Sequence, residues 1–254
     1  MKIEYNDSKA LKHSNSYKLE YLGKCLLIEE KEKKILVIGD LHLGYEEILN
    51  RAGVFVTRKM FEEMIAYFDL VFSRTRGVDK IVLLGDVKHS FGGIVGQEWS
   101  DALALFDYLK GKLKKNGEII IVKGNHDNII GPIARKGGIG VKDYFIFGEI
   151  AFLHGDKDFE EIWERRVTNW IVGHGHPAVK LGDGVKVESY KCFLTGKFKG
   201  KEIIVMPSFF DYSVGSDPRE NELGLAWNFN LDKFRVRIVG EDLEVLDFGI
   251  LRDL

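Results

Sequence analysis

A chain of 254 residues, 45% hydrophobic and 30% charged, is long enough to bury a large core and too apolar for intrinsic disorder. Its formal net charge of −2 leaves no basic excess, which argues against a protein that grips long duplex DNA mainly through phosphate contacts. The opening segment lacks the apolar core of a secretory leader, and no uninterrupted apolar run approaches bilayer-spanning length, so a cytoplasmic protein without membrane attachment is expected. Cys25 and Cys192 are too few for a disulfide framework and lie beside no other candidate ligand, so two buried, reduced thiols are expected.

In chain order, short apolar segments ending in Gly, Asp, Asn or His alternate with longer segments of helical period, the pattern of α/β layering. Residues 26–28 and 35–38 read as a hairpin around the charged turn 29–34, and 81–84 and 119–122 as buried strands. Between them, one helix is expected over 58–76 with Thr57 as its N-cap. A second is expected over 97–115, stopped by Asn116 and Gly117. Past residue 140 the strands shorten: 151–153, 170–172, a pair at 192–198 and 203–206, and a terminal pair at 234–239 and 243–248. These read as a second sheet within one domain spanning 1–254. Repeats, low-complexity tracts and Pro-rich linkers are absent.

Of seven histidines, five sit in Gly/Asp/Asn-rich segments at or after expected strand ends. The segments are Gly39-Asp40-Leu41-His42, Gly85-Asp86, Gly124-Asn125-His126-Asp127, His154-Gly155-Asp156 and Gly173-His174-Gly175-His176. Loops leaving the carboxyl ends of strands converge on the ligand crevice of an α/β protein, so five loops can build one site. Carboxylate, amide oxygen and imidazole suit Mn²⁺, Fe or Zn²⁺ held away from thiolates. In an extended strand end, Asp40 and His42, two residues apart, would point to one side, and so would His174 and His176. A lone Gly-Asp is commonly a turn. A given tetrapeptide such as Gly-Asn-His-Asp arises by chance in about one protein of this length in a thousand, and here it stands in order among four other such segments.

The ordered segments resemble the calcineurin-like metallophosphoesterase superfamily, whose blocks are Asp-x-His, Gly-Asp, Gly-Asn-His-Asp/Glu, His and Gly-His-x-His. The motif-bearing stretch is 39–176. Within that superfamily the chain looks most like the smaller archaeal and bacterial phosphoesterases related to SbcD, including the PdeM-like group, through Gly-Asp-Val-Lys-His-Ser at 85–90 and Met206-Pro207-Ser208-Phe209. The resemblance implies a four-layer αββα sandwich with two central mixed β-sheets. It also implies two divalent metal ions, with Mn²⁺ expected and Fe, Zn²⁺ or Ni²⁺ compatible. Asp40, His42 and His176 would hold one ion, Asn125, His154 and His174 the other, and Asp86 would bridge them. His126 would donate a proton to the leaving group, with Asp127 orienting its ring by hydrogen bonding. Val87-Lys88-His89-Ser90 lacks the Arg that follows the second block in phosphoprotein phosphatases, which weakens a protein-phosphatase reading.

Such a site activates water and stabilises charge developing at phosphorus. Lys88 and His89 are candidates to contact a phosphate, with an exposed loop pair as the plain alternative. Phe91-Gly92-Gly93 and Gly96 suggest a loop at the site, and Arg165 and Arg166 suggest surface ion pairs. The expected activity is phosphodiester hydrolysis, with a nuclease acting on DNA or RNA as the leading substrate reading. A phosphatase or cyclic-nucleotide phosphodiesterase of small nucleotides is the enzyme alternative. A non-catalytic protein-binding scaffold is the alternative of another class. Gly137-Gly138-Ile139-Gly140 lacks the strand–loop–helix context of a dinucleotide site.

Overall fold

Runs of Leu, Ile and Val bounded by turns make strands buried on both faces. The computed structural model, which describes residues 17–182 and 185–254, opens with β1 (Tyr17–Leu22), β2 (Cys25–Glu30) and β3 (Lys33–Ile38). The leader-free reading of the first residues falls largely on 1–16, outside the described residues. β2 and β3 form the expected antiparallel hairpin, Leu26 opposite Val37 and Ile28 opposite Ile35. Its central residues Lys31 and Glu32 have φ of 47° and 67°, the turn hand that matches strand twist. β4 (Val78–Leu84), β5 (Leu113–Val122) and β6 (Gly140–Lys142) add in parallel, giving a sheet of order β1-β2-β3-β4-β5-β6.

The second sheet uses β7 (Tyr144–Phe147), β8 (Ile150–Leu153), β9 (Asn169–Val172), β10 (Ala178–Gly182), β11 (Val187–Phe198), β12 (Lys201–Val205), β13 (Arg235–Val239) and β14 (Val245–Ile250). Its order is β14-β13-β11-β12-β9-β8-β7, with β10 paired to β11. Both sheets mix parallel and antiparallel pairs, as the resemblance implied.

The period of two in a strand sends successive side chains to different cores. Ile35, Val37, Val82 and Leu84 meet Phe152, Ile171, Phe193 and Ile204 between the sheets. Leu36, Ile38, Ile81 and Leu83 face outward onto the helices over Met60–Thr75 and Gly96–Lys110, while Leu153, Trp170, Cys192 and Leu194 face the opposite outer layer. That opposite layer is made of 3₁₀ turns at Glu160–Trp163, Leu231–Lys233 and Leu251–Asp253 with the coil that carries Trp227 and Phe229. Cys25 lies under the helical cover and Cys192 under the opposite one. Both thiols are free and buried, and burial pushes both up, Cys25 to about 12.

The helices are α1 (Tyr45–Arg51), α2 (Met60–Thr75), α3 (Gly96–Lys110) and α4 (Gly131–Lys136). Met60, Met64, Phe68 and Phe72 form the buried face of α2. Thr57 does not cap it. The buried carboxylate of Glu46, on α1, accepts the N–H groups of Lys59 at 2.7 Å and Met60 at 3.0 Å, satisfying orphan donors at the helix start. α3 ends at Lys110, five residues short of the expected 115, because Leu113 opens β5 and pairs with Val78. Among the described residues no helix is long and apolar enough to cross a membrane.

Candidate metal centre

β3, β4, β5, β8 and β9 all end at one edge of the sandwich, and the five motif segments follow them directly. The backbone there departs from the extended geometry expected of Asp-x-His. Asp40, His42, Asp86, His174 and His176 have φ of 51°, 48°, 48°, 64° and 40°, all left-handed. Side chains two residues apart therefore converge through tight loops instead of strand alternation, at a conformational cost that surrounding hydrogen bonds must offset. Backbone bonds supply them: the N–H of His42 donates to Asp86 O at 2.8 Å, and that of Leu43 to Val87 O at 3.0 Å. The Asp40 carboxylate also accepts the N–H of His174 at 3.1 Å. Gly85 and Gly124 are required by close approach, since a methyl at the first would overlap the His154 ring and at the second the Asp86 carboxylate.

Two donor groups result. Asp40, His42 and His176 form one, with Asp40 Oδ1 3.3 Å and His42 Nε2 3.4 Å from His176 Nε2. Asp86, His154 and His174 form the other. There His154 Nε2 lies 3.4 Å from Asp86 Oδ2, 3.1 Å from His174 Nδ1 and 3.0 Å from Asn125 Oδ1. Asp86 Oδ2 is also 3.8 Å from His42 Nε2, so one carboxylate reaches both groups. Bonds of about 2.1 Å to an ion put neighbouring donors about 3.0–3.4 Å apart, and these separations fit that spacing.

The electrostatics favour a cation. Burial raises Asp40, but the His176 and His154 imidazoles and the His174 N–H outweigh it and hold the carboxyl below its ordinary value. Burial likewise raises Asp86, and His154 more than reverses it. His154 itself loses to desolvation and gains more from Asp86 and Asp40, ending pushed up to about 9. His42 is driven well down, by burial first, with the neighbouring imidazoles adding to it against Asp86. Two buried, ionised carboxylates thus concentrate negative charge at one point, which a bound cation would offset.

Other expected residues fall differently. His126 stands at the site, its backbone N–H donating to Asp86 Oδ1 at 2.9 Å and its ring 4.9 Å from that of His42. Asp127 does not orient that ring. Its carboxylate accepts the N–H groups of Val87 at 3.0 Å, Gly124 at 3.1 Å and Lys88 at 3.3 Å, tying the Asp86 loop to the Asn125 loop. The His126 ring donates through Nδ1 to the His89 carbonyl instead. Lys88 is not a phosphate contact: it is fully buried and its ammonium donates to the Ser90 carbonyl. His89 is brought in, with Nδ1 3.2 Å from His42 Nδ1, and joins His42 and His126 in a third cluster. Arg166 pairs with Glu164 at 2.6 Å on the surface, as expected. Phe91 lies against His126, in the loop expected at the site, while sequence reading missed Tyr45 and Phe210, whose rings flank His89 and His42. Only proximity to the motifs signalled them.

Residues 33–207 match the family model for calcineurin-like phosphoesterases, more than half of the chain and every motif segment. The chain belongs to that family. This calcineurin-like phosphoesterase is accordingly a metal-dependent hydrolase of phosphate esters. No curated protein matches its sequence. Among solved structures it is similar to the nuclease MPE of Pseudomonas putida, with TM-score 0.66 at 16% identity over 94% of this chain and 99% of that one. It also aligns with the zinc complex of Vps29 from Entamoeba histolytica, at 15% identity over 85% and 99% of the two chains, but a TM-score of 0.39 is too loose to carry an argument.

Proposed function

We propose that this phosphoesterase hydrolyses phosphodiester bonds of nucleic acid, DNA or RNA, using two divalent ions, Mn²⁺ foremost. The observation that carries the reading is the pair of donor groups sharing Asp86. Asp40, His42 and His176 would hold one ion and Asn125, His154 and His174 the other, with Asp86 between. When bound, such a pair lowers the pKa of water and stabilises the charge that develops on phosphoryl oxygens. The protein's own part is positioning and proton transfer. The His89 carbonyl holds one proton on His126 Nδ1, so in the imidazolium form the second proton sits on Nε2, 3.9 Å from Asp86 Oδ2, and passes from there to the departing oxygen, leaving the neutral ring. Asp127 keeps Asp86 and Asn125 in register through the backbone. The fold it shares with a nuclease supports a polynucleotide substrate. The formal charge of −2 supports small nucleotides as the second reading. A cytoplasmic location belongs to the same proposal, since two free buried thiols suit a reducing compartment.

The test is hydrolysis of a chromogenic phosphodiester by metal-stripped protein with and without Mn²⁺. We expect turnover only with the ion, and a fall of roughly 10²–10⁴-fold in His126→Ala with metal content intact. Normal turnover in that variant sinks the proton-donor assignment. Absence of turnover with every divalent ion favours a protein-binding scaffold. Oligonucleotides compared with cyclic nucleotides and nucleoside monophosphates then separate the two substrate readings.

A further inference from the structure

The coil after β12 carries three aromatic residues that diverge. Phe209 turns inward and stacks on Phe68 with ring centres 4.4 Å apart, closing the helical core. Phe210 turns toward the metal centre, 5.3 Å from the His42 ring, and is buried beneath Tyr45 at 4.9 Å and Tyr212 at 6.0 Å. Tyr212 is 40% exposed. These rings continue the site outward from the histidines on one side, while Phe91 lies against His126 on another.

An exposed aromatic on a surface coil is ordinary; one fastened this firmly is not. The N–H groups of Phe209 and Phe210 donate to the carbonyls of Gly39 and Asp40 at 2.8 and 3.1 Å, which ties the coil to a metal-ligand loop. The ammonium of the half-buried Lys191 donates to Ser208 Oγ, Phe210 O and Ser213 O at 2.6, 2.6 and 2.7 Å. Lys24, only 4% exposed, holds Asp211 at 2.6 Å. The Tyr212 hydroxyl donates to the buried Glu46 carboxylate at 3.2 Å. Burying the Lys24 ammonium and the Glu46 carboxylate is costly, and core packing does not require it, because Phe209 already closes the core. What the fastening achieves is an aromatic face at constant distance from the ions, which lowers the ordering cost of stacking.

We propose that Tyr212 and Tyr45, backed by Phe210, form a stacking shelf for the nucleobase next to the scissile phosphate. The inference rests on the hydrolytic reading above and names the group recognised at that site. A base suits the shelf better than an aliphatic chain, since it offers a π-face to the rings and polar edges to water. Stacking also suits a chain whose formal charge of −2 gives little general attraction for phosphates.

The experiment compares kcat/KM for the 3′ and 5′ p-nitrophenyl phosphate esters of thymidine with that for methyl p-nitrophenyl phosphate, in the Mn²⁺-loaded enzyme. The three share a leaving group and differ in the base-bearing nucleoside. Wild type should prefer at least one thymidine ester, and Tyr212→Ala should lower that preference about tenfold while Tyr212→Phe retains it. An unchanged preference in Tyr212→Ala overturns the shelf and leaves the hydrolytic reading standing. If no ester turns over, the hydrolytic reading fails instead. Fluorescence anisotropy of labelled oligothymidylate then decides the shelf: about tenfold weaker binding by Tyr212→Ala supports it, and equal or absent binding overturns it.

Discussion

The first sheet brings Asp40, His42, Asp86 and Asn125 to the site from the ends of β3, β4 and β5, whereas the second brings only imidazoles, His154, His174 and His176, from β8 and β9. Neither donor group is complete within one sheet, since Asp40 and His42 need His176 and Asp86 needs His154 and His174. All the negative charge comes from one side and much of what balances it from the other. The site is thus a property of how two sheets dock, and the apolar layer between them, including Ile171 and Phe193, sets its dimensions as much as the ligands do.

The strongest way to break this comparison is Phe152→Ala, which hollows the layer between the sheets close to His154. Urea unfolding should show a loss of about 3–5 kcal/mol, and calorimetric titration a weaker affinity for Mn²⁺ in the protein that remains folded. Leu105→Ala, in the core under the outer helices, should cost about 2–5 kcal/mol yet leave that affinity unchanged. Equal loosening of the metal by both variants would mean that the inter-sheet layer has no special role.

Asp127→Asn sharpens the picture within one sheet. The carboxylate, pushed up to about 7 by burial and by Asp86, uses both oxygens to accept three backbone N–H groups. An amide turns a donor toward some of them, so metal affinity should fall roughly 10–100-fold with the ligands themselves unaltered. Retained affinity would show that the two loops hold their register without it.

The smallest effect is expected at Asp79, which fastens the first sheet away from the site by accepting from the Lys34 N–H at 2.9 Å and from Lys114 at 2.8 Å. Burial raises this carboxyl, but those bonds and Lys33 prevail and hold it down at about 2. With the folded value below the unfolded one, its contribution is complete above about pH 4 and is lost as pH falls through about 2. Asp79→Asn should therefore flatten the stability profile between those limits and cost under about 1 kcal/mol at neutral pH. Denaturation midpoints across that range measure it, and an unchanged slope would refute the assignment.

The donor residues that the structure brings together were legible because their signal is local: a short apolar strand, a glycine, then a donor. The hairpin at 26–38 and six of the eight strands of the second sheet were legible for the same reason, whereas β7 and β10 were not expected. Tertiary effects were not. Thr57 has the chemistry of a cap, but Glu46, buried and distant in sequence, takes that role. The lysines at 110, 112, 114 and 115 look helical, yet Leu113 pairs with Val78. Asp127 follows His126 directly and still serves other partners, because the left-handed turns of the ligand loops redirect side chains in ways that residue spacing does not encode. Lys88 shows the converse, a cation expected to face outward beside the donor residues that the fold buries instead.

The two cysteines, one beneath each outer cover, have a consequence of their own. A thiol reagent can reach Cys25 only when the helical cover lifts from the first sheet, and Cys192 only when the aromatic coil lifts from the second. Labelling rates under native conditions would therefore time the opening of the two covers separately, in one unmodified chain, and reveal which half of the sandwich breathes first.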